Sequence, residues 1–548
     1  GTLMPELNWV GKDKVITHHL DVPYRVLDRQ YSYDEHGQHD GDNGSQNMII
    51  HGDNLEALKA LLPKYEGKVD CIYIDTPYNT GNEGWIYNDA VNDPRIKKWL
   101  GEVVGKEGED LSRHDKWLCM VYPRLRLLHR LLARNGLIAV SISDTELSNL
   151  GCIMDEIFGP ANRLACAPVR SEPSGGKDKT ALRTGHEYIL FYTKGDQSSL
   201  VKEEKTTGKL DLKDSKGPYR KGRELRKWGA TSDRSDRPTL WFPITAPNGG
   251  EVFPIKNDGS DGYWRWSPAH AGMSELLDNP EAAHWEKTSY DPGVVVNGET
   301  ERWVPYEKIR DVKKSFGWNT WLDGYGTNAD ATAVIKAIFG NKKFDTPKPL
   351  SLIEWIIALH GNTDGIVLDS FAGSGTTAHA VLNSNMYDDA DRKFILVELS
   401  DYAESITAER AKRVIDGYRT DKDEVPGTGG SFSFYELGAP LLVDGDLNPD
   451  VPLKQVREYV WFTETGQPFS NPPSAHPYFL GRYEDAAFFF VFEPDRVTSL
   501  DRGYLASIPP ECAASSYVIY ADTCLLSDEE LCSLNIAFKK IPRDITRL

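Results

Sequence analysis

Apolar runs alternate with helix-like segments in the first part of the chain. NMIIHGD (47–53) and VDCIYID (69–75) predict strands, and the second is apolar enough to be a central parallel strand covered on both faces. Between them, LEALKALL (55–62) has helical spacing and is expected to end at Pro63. A long helix then leads to Asn135–Gly136, which is predicted to stop it before another strand. This alternation favours a doubly wound α/β sheet.

The pattern is weaker in two other regions. Residues 31–46 are polar and rich in glycine, which predicts a loop. From about 200 to 330, charged residues, Gly, Pro and Trp are interleaved without clear periodicity. There, PTLWFPI (238–244) and DGYWRWS (261–267) are expected to form short strands. The change of texture indicates an insert or subdomain.

The α/β pattern returns after the insert. KPLSLIEWIIALH (348–360) predicts an amphipathic helix, and residues 365–384 read as strand, glycine-rich loop and helix. VPGTGG (425–430) marks a boundary before an α+β region. The predicted domains are an N-terminal extension, two halves of one α/β domain separated by the insert, and a C-terminal domain: 1–46, 47–199, 200–335, 336–436 and 437–548.

Charge is unevenly distributed. The net charge is −19, which argues mildly against a nucleic-acid partner. Residues 216–237, however, carry eight Lys/Arg against three acids, whereas 437–548 carry nine against sixteen. Because the local field matters more than the sum when a polyanion docks, the basic stretch keeps nucleic acid open as a partner.

The cysteines, the histidines and the hydropathy of the chain predict its cellular compartment and whether it binds a metal. The seven cysteines are scattered and form no Cys-x-x-Cys, which predicts a reduced, cytoplasmic protein without a zinc cluster. No stretch approaches 18 apolar residues, so no membrane partner is expected. His18 and His19 lack accompanying ligands at metal-binding spacing, so no metal site is predicted.

The glycine-rich loop LDSFAGSGTTAHA (368–380) predicts a ligand site. Asp369 would end a strand, Gly373 and Gly375 would lie in the turn, and a helix would start near Thr376. Glycines allow close approach to the backbone, and a helix N-terminus offers unpaired N–H groups. The loop fits neither Walker A nor the full dinucleotide pattern. With Glu398 ending the next strand, where it could bind ribose hydroxyls, an adenosine-containing cofactor is favoured over a simple tight turn.

Several motifs together resemble one enzyme family. DTPY (75–78) resembles the Asp-Pro-Pro-Tyr motif of amino-methyltransferases, and FAGSGTT (371–377) resembles their S-adenosylmethionine loop. The catalytic motif precedes the cofactor motif, as in the β class, and FDTPKPLSLIEWII (344–357) resembles the Lys-Pro-helix element of that class. NMIIHGDNLEAL and YNTG (78–81) resemble modification subunits of Type III restriction systems.

The resemblance implies a fold and a function. The fold would be a Rossmann-like methyltransferase with circularly permuted motif order, in which 47–199 is the catalytic half, 200–335 the target-recognition region and 336–436 the cofactor half. The function would be transfer of a methyl group from S-adenosyl-L-methionine to N6 of an adenine flipped out of double-stranded DNA. The resemblance also implies a homodimer and association with a helicase-nuclease restriction subunit.

The same resemblance assigns roles to individual residues. Asp75 and the carbonyl of Thr76 would hold the target amine, Pro77 would stiffen the turn, and Tyr78 would stack on the flipped base. The expected cofactor residues are Asp369, Phe371, Ala372, Gly373, Ser374 and Gly375 around the methionine part, Thr376 and Thr377 at the helix start, Glu398 on the ribose, Asp53 and Asn54 at the adenine, and Lys348 and Pro349 at the pocket edge. Asp53 could equally serve only as a helix N-cap.

DNA contacts are expected from the basic stretch of the insert, with a solvated charged loop as the alternative. Lys and Arg there could hold phosphates, and one or two Arg could contact guanine edges. The candidates are Arg220, Lys221, Arg223, Arg226, Lys227, Arg234 and Arg237.

Two alternatives stay open. Thr76 stands where the family usually has Pro, which leaves cytosine-N4 open beside adenine-N6. A catalytically inactive DNA-binding or scaffold protein with the same fold is the second alternative, although Asp75, Tyr78 and both loop glycines are intact. A C5-cytosine enzyme is disfavoured because the chain has no Pro-Cys dipeptide.

Overall fold

The computed structural model describes residues 6–79, 98, 102, 113–175, 181–206, 208–310, 313–419, 424–470 and 476–545. The chain forms two compact units, one of residues 1–201 with 319–548 and one of residues 202–318. The helix Asn328–Phe339 spans the predicted domain boundary at 335 and belongs to the larger unit.

A ten-stranded sheet forms the centre of the larger unit. Its strands, in chain order, are β1 (Arg25–Asp34), β2 (Gly37–His39), β3 (Met48–His51), β4 (Val69–Asp75), β5 (Leu132–Ile142), β6 (Arg163–Val169), β7 (Glu187–Thr193), β8 (Ile366–Asp369), β9 (Lys393–Glu398) and β10 (Ser431–Pro440). Their spatial order is β2-β1-β10-β3-β9-β8-β4-β5-β7-β6. Neighbours from β10 to β5 are parallel, and the outer strands pair antiparallel. The predicted doubly wound α/β fold is therefore confirmed.

Helices cover both faces of this sheet. In chain order they are α1 (Lys12–Val15), α2 (His18–Asp21), α3 (Asn54–Tyr65), α4 (Arg113–Leu131), α5 (Leu147–Phe158), α6 (Asn328–Phe339), α7 (Leu350–Leu359), α8 (Thr376–Tyr387) and α9 (Glu409–Asp416), the last preceded by a π-helical turn at Ala403–Ala408. Because side chains alternate along a strand, β4 supplies Ile72 and Ile74 to the core under α3, α4 and α5, and Cys71 and Tyr73 to the core under α7 and α8. This explains why VDCIYID is apolar at nearly every position.

Three sequence-based expectations for local structure were wrong in this unit. The segment 31–46, expected to be a loop, contains the last residues of β1 and all of β2. Tyr31 pairs there with Phe434 of β10, and their rings stack with centroids 5.3 Å apart. Pro63 does not end α3, which continues to Tyr65. Asn135–Gly136 does not stop the preceding helix, because β5 already starts at Leu132 and shifts register there against β4.

The smaller unit is built on a four-stranded antiparallel sheet and one helix. The sheet order is His284–Ser289, Glu301–Ile309, Gly217–Glu224 and Leu212–Asp214, and the helix is Ala271–Asp278. Two-stranded sheets pair Ile244–Thr245 with Glu251–Val252 and Lys313–Phe316 with Glu203–Thr206.

Two strands expected in the smaller unit were largely wrong. Residues 238–240 form a 3₁₀ turn, and only Ile244 of PTLWFPI belongs to a strand. Residues 261–267 form isolated bridges instead of a strand. The reason is Trp264, which is buried in the small core and whose Nε1 donates to the carbonyl of Phe242 at 2.8 Å. The apolar residues of these two segments therefore pack into the small core, although their backbone is mostly irregular.

The C-terminal part has a second, four-stranded sheet. Its order is Phe479–Tyr483, Ala486–Phe490, Ser516–Ala521 and Ile536–Lys540, and the helices of this part are Leu453–Thr465, Arg502–Ser507 and Asp528–Ser533. Short strand pairs are Gly417–Arg419 with Glu424–Pro426, Leu442–Val443 with Asp446–Leu447, and Ser499–Leu500 with Thr523–Cys524. Trp461 packs edge-on against Phe488, with centroids 5.5 Å apart, and so covers the apolar strand. None of the described helices combines the length and the hydropathy that crossing a membrane requires.

Candidate active site

The two motif segments, 294 residues apart (369 − 75), meet at one edge of the large sheet. Strands β4 and β8 are adjacent and parallel, with Cys71 opposite Val367 and Ile72 opposite Leu368. The carboxyl ends of parallel strands lie at the same sheet edge, where open α/β sheets bind ligands. One pocket there is lined by Asp75 and Asp369, together with Tyr73, Phe344, Thr346, Pro347, Lys348, Phe371, Ala372, Gly373, Ser374, Thr376 and Thr377.

Asp75 is a buried carboxylate at the end of β4. It is 6% exposed, and among the described residues its Oδ1 accepts no hydrogen bond, although the Lys348 ammonium lies 3.3 Å from it. Burial raises the pKa of Asp75 to about 6; Lys348 opposes this shift and Glu187 adds to it. At neutral pH the side chain is therefore an ionised acceptor that lies beside the Lys348 ammonium.

The turn after Asp75 is fixed by hydrogen bonds from outside it. The Thr76 hydroxyl donates to the carbonyl of Ser141 at 3.2 Å, and Trp117 Nε1 donates to the carbonyl of Pro77 at 2.6 Å. Asn79 adopts a left-handed φ of 57° and donates to Glu146 at 2.6 Å. Thr80 and Gly81 of the YNTG segment lie outside the described residues. The DTPY segment is thus held rigidly at the strand end.

Glu187 joins the site, although sequence reasoning missed it. It accepts a 2.6 Å hydrogen bond from the Tyr78 hydroxyl, and both its oxygens accept from Lys348 at 2.9 Å. Lys348 also bonds the Tyr78 hydroxyl, and its Nζ lies 4.7 Å from the centre of the Tyr78 ring. β7 runs antiparallel to β5, which brings its first residue to the edge where β4 ends. The only local signal was an acid directly before the apolar run YILFYT.

This network is charged and buried. Tyr78 is 8% exposed, and the side chains of Lys348 and Glu187 are 10% and 9% exposed. Although burial alone would lower it, the pKa of Lys348 is raised because Asp75 and Glu187 favour the ammonium form. Burial likewise raises the pKa of the Tyr78 phenol well above its ordinary value. The side chains therefore act as a carboxylate pair, an ammonium and a neutral phenol.

Asp369 and the glycines shape the second loop. Asp369 accepts from the Thr377 hydroxyl at 2.6 Å and from the Phe371 N–H at 3.0 Å, and burial raises its pKa to about 7. Gly373 and Gly375 have φ of 53° and 80°. A Cβ at Gly375 would lie 3.0 Å from the carbonyl oxygen of Thr407, so the turn accepts only glycine without strain.

Glu398 ties this loop to the next strand. Its Oε2 accepts from the Gly373 N–H at 2.7 Å and its Oε1 from the Ser400 N–H at 2.9 Å. Burial raises its pKa. The hydroxyls of Ser400 and Tyr402 also hydrogen-bond to this carboxylate, so a ligand hydroxyl would have to replace one of these donors.

The remaining predicted cofactor residues lie beside the pocket. Asp53 caps α3 by accepting from Leu55 N–H at 2.8 Å, which is the N-cap geometry foreseen as its alternative role. Asn54 donates to the carbonyl of Ser370 at 3.2 Å and so links α3 to the cofactor loop. Pro349 is the N-cap residue of α7. Asp53, Asn54 and Pro349 do not border the pocket that Asp75 and Asp369 share.

The predicted DNA-binding residues all lie in the smaller unit but differ in exposure. Lys221 pairs with Glu286 at 2.8 Å, and Arg234 with Asp261 at 3.0 Å. Arg226 is buried at 3% exposure and pairs with Glu224 at 2.8 Å, and Arg220 is half-buried. Among the described residues no ion pair involves Arg223, Lys227 or Arg237, and Arg223 and Arg237 are exposed. Within the described part of the chain, no three His, Cys, Asp or Glu cluster as metal ligands.

Comparison with known proteins finds relatives that are named as restriction-modification enzymes or methyltransferases. The EcoPI Mod subunit, a Type III restriction-modification enzyme of Escherichia phage P1, is 32% identical over 72% of this chain and 63% of its own length. The Type II methyltransferase M.KpnI of Klebsiella pneumoniae is 34% identical over 65% of this chain and 81% of its own. The StyLTI Mod subunit of Salmonella typhimurium is 34% identical over 66% and 54%, so this chain spans less than two thirds of both Mod subunits. A family model described as DNA methylase (N6_N4_Mtase) matches residues 69–409, and the chain belongs to this family.

Proposed function

We propose that this chain is an S-adenosyl-L-methionine-dependent DNA methyltransferase that modifies the exocyclic N6 of a flipped adenine. The observation that carries the proposal is the shared pocket: Asp75 and the Gly373–Gly375 loop, far apart in sequence, lie side by side at the carboxyl edge of the sheet. Family membership and the Mod-subunit relatives support the reaction class.

The pocket side chains fit the proposed cofactor. S-adenosylmethionine supplies an electrophilic methyl group on a sulfonium, next to an ammonium and a carboxylate. The buried acids Asp75 and Asp369 suit the cations, and the hydroxyls of Ser374 and Thr376 suit the anion. The glycine turn lets a ligand approach the backbone, and Glu398 would accept from a ribose hydroxyl in place of the Ser400 or Tyr402 hydroxyl.

Asp75 and Thr76 would prepare the target amine. An exocyclic amine is a poor nucleophile because its lone pair is delocalised into the ring. The Asp75 carboxylate and the Thr76 carbonyl would each accept one amine hydrogen, which localises that lone pair and stabilises the positive charge that develops on the nitrogen. The contacts of Thr76 and Pro77 with Ser141 and Trp117 hold these acceptors in place, so little reorganisation is needed at the moment of reaction.

Tyr78 would stack on the extruded base. Such stacking contributes about 1–3 kcal/mol per base. Because the Lys348 ammonium lies over one face of the ring, the base would use the other face or displace this side chain. Glu187 offers Lys348 a second carboxylate at 2.9 Å, so the lysine can leave Asp75 without losing its counter-ion.

Cytosine-N4 is the second candidate. The observation in its favour is Thr76, which replaces the proline usual in adenine enzymes, and the matching family includes both amine specificities in its name. Since the second position would contribute only its backbone carbonyl, the threonine is compatible with either base.

Double-stranded DNA is the proposed substrate and residues 202–318 the proposed target-recognition unit. Arg223, Lys227 and Arg237 are the best candidates for phosphate contacts, because they are unpaired within the described chain. Lys221 and Arg234 could contribute by exchanging their acidic partners for phosphates, and Arg220 is half-buried. We leave Arg226 out, since its guanidinium is buried on Glu224.

The proposed cellular role is that of a modification subunit. This rests on relatives named as Mod subunits of Type III restriction-modification enzymes. A homodimer and a helicase-nuclease partner belong to the same proposal, with the acidic residues 437–548 as a candidate contact.

One experiment tests reaction, base and residue together. The protein is incubated with labelled S-adenosylmethionine and unmethylated genomic DNA, the DNA is digested to nucleosides, and Asp75→Ala is run in parallel. N6-methyladenine that is absent from the mutant reaction supports the proposal. N4-methylcytosine moves the assignment to the second candidate, and no transfer by the folded chain, alone and with a candidate restriction subunit, supports the scaffold alternative.

A further inference from the structure

Arg410 is a buried arginine whose charge is not balanced by any acid in the described chain. It lies on α9 and is 1% exposed. Its Nη1 donates to Ser374 Oγ at 3.0 Å and to Thr376 Oγ1 at 2.9 Å, and its Nη2 donates to His379 Nδ1 at 3.1 Å. No ion pair within the described residues involves it. Burying an unpaired charge is costly unless something compensates it.

His379 does not provide that compensation. It is 2% exposed, and its Nδ1 faces two donors of the guanidinium, so this nitrogen must accept. Burial and Arg410 lower the pKa of His379 well below its ordinary value, which keeps the ring neutral. Among the described residues, no acid compensates the positive charge beneath the glycine-rich loop.

Arg410 also fixes the direction of two hydroxyl groups. A guanidinium only donates, so Ser374 and Thr376 must accept from it, and their own O–H protons are left to donate. The two oxygens are 3.2 Å apart, so one hydroxyl can donate to the other, and at least one proton remains for a further acceptor. Both side chains are buried and both border the pocket, at the N-terminus of the twelve-residue helix α8. Helix N-termini and donated hydroxyls both favour an anion.

We propose that Arg410 is a positioning residue for the carboxylate of the methionine part of S-adenosylmethionine, acting through the hydroxyls of Ser374 and Thr376. This rests on the proposed function, which supplies the cofactor. The carboxylate would provide the missing counter-charge, whereas the sulfonium and ammonium would face the side chains of Asp75 and Asp369, which border the same pocket. Arg410 thus orients the cofactor without touching it.

The test compares two ligands that differ only in this group. The dissociation constants of S-adenosylmethionine and of decarboxylated S-adenosylmethionine are measured by calorimetry, without DNA, for the native chain, Arg410→Met and the control Arg413→Met. Arg413 lies on the same helix but is partly exposed and pairs with Glu409. The native chain and the control should prefer the carboxylate form by about ten-fold or more, the strength of one charge-assisted hydrogen bond. In Arg410→Met this preference should fall to about two-fold, with affinity for the decarboxylated form nearly unchanged.

Two outcomes would overturn the inference: a folded Arg410→Met that keeps the preference, or an equal loss of affinity for both ligands, which indicates a purely structural role. If Arg410→Met does not fold, Ser374→Ala with Thr376→Val serves instead and should lose the same preference while Arg410 is present. Failure of the proposed function has a different signature, because a chain that prefers the carboxylate form but methylates no DNA leaves this inference intact.

Discussion

The Tyr78 hydroxyl donates a 2.6 Å hydrogen bond to Glu187, 109 residues further along the chain. The same carboxylate holds the ammonium of Lys348, which also lies against Asp75. Glu187 therefore determines how strongly Lys348 competes with the target amine for the Asp75 carboxylate.

Replacing Glu187 with Gln keeps the shape of the side chain but removes its negative charge. Residue 187 then no longer competes with Asp75 for the Lys348 ammonium. The ammonium would then rely on Asp75, so methyl transfer should slow by about 10- to 100-fold, typical of a displaced catalytic group. Because Glu187 contributes to the raised pKa of Asp75, the acid limb of the single-turnover pH profile should move to lower pH. Glu529→Gln, an exposed acid of the C-terminal part, is the control. An unchanged profile would exclude Glu187 from the site.

The native pH profile itself is a second prediction. Asp75 must be ionised to accept from the amine, and its pKa is raised to about 6, so single-turnover rates should fall as pH drops through this value. Rates measured between pH 5 and 8 with saturating DNA and cofactor test this. A rate that stays level down to pH 5 would mean that the buried carboxylate titrates lower or does not act as acceptor.

Asp75→Asn should abolish transfer and yet stabilise the fold. A carboxyl that titrates near 3.9 when unfolded and at about 6 when folded binds more protons in the folded state, so its stabilising effect is present at low pH and is lost as pH rises through about 6. At pH 7 the neutral amide should raise the free energy of unfolding by about 1–3 kcal/mol. Urea denaturation at pH 7 and pH 5 checks this, since the gain should shrink at pH 5. A destabilised variant at pH 7 would contradict the assignment.

Gly375→Ala should weaken cofactor binding. The left-handed φ of 80° penalises a side chain by about 1–2 kcal/mol, and the new Cβ would press on the Thr407 carbonyl. The dissociation constant for S-adenosylmethionine should rise by about ten-fold or more. Gly340→Ala is a matched control, because Gly340 has a φ of 79° and open space where its Cβ would lie. Equal affinity in both variants would remove the loop from the cofactor site.

The arginines of the basic stretch should fall into two groups, one that contributes to DNA binding and one that contributes to the stability of the fold. Arg223→Ala or Arg237→Ala should weaken DNA binding across sequences and lower the salt-dependence slope by about 1. Arg226→Ala should instead leave the buried Glu224 carboxylate without its cation, with the Trp228 N–H as a remaining donor, and destabilise the protein by about 3 kcal/mol. Fluorescence anisotropy across a salt series and urea unfolding separate the two effects. A destabilised Arg223→Ala with an unchanged salt slope would contradict this division.

The sequence predicts those parts of the site that depend on local pattern. The apolar run before Asp75 and the glycines after Asp369 mark strand ends that any α/β sheet brings to one edge. Glu187 and Arg410 carry no such mark, because their positions depend on an antiparallel outer strand and on a helix that returns under the loop. The strand at Tyr31–Asp34 carries no such mark either, since it pairs with β10, which is remote in the chain.

Among the strands that the structure describes, every strand of the large sheet comes from residues 25–193 or 366–440. The described strands of residues 202–318 pair with one another in separate sheets. A lineage could therefore exchange this whole segment by recombination and inherit the chemistry of Asp75 and the glycine loop unaltered. The large sheet, which holds the catalytic chemistry, can thus be inherited unchanged while residues 202–318 diversify.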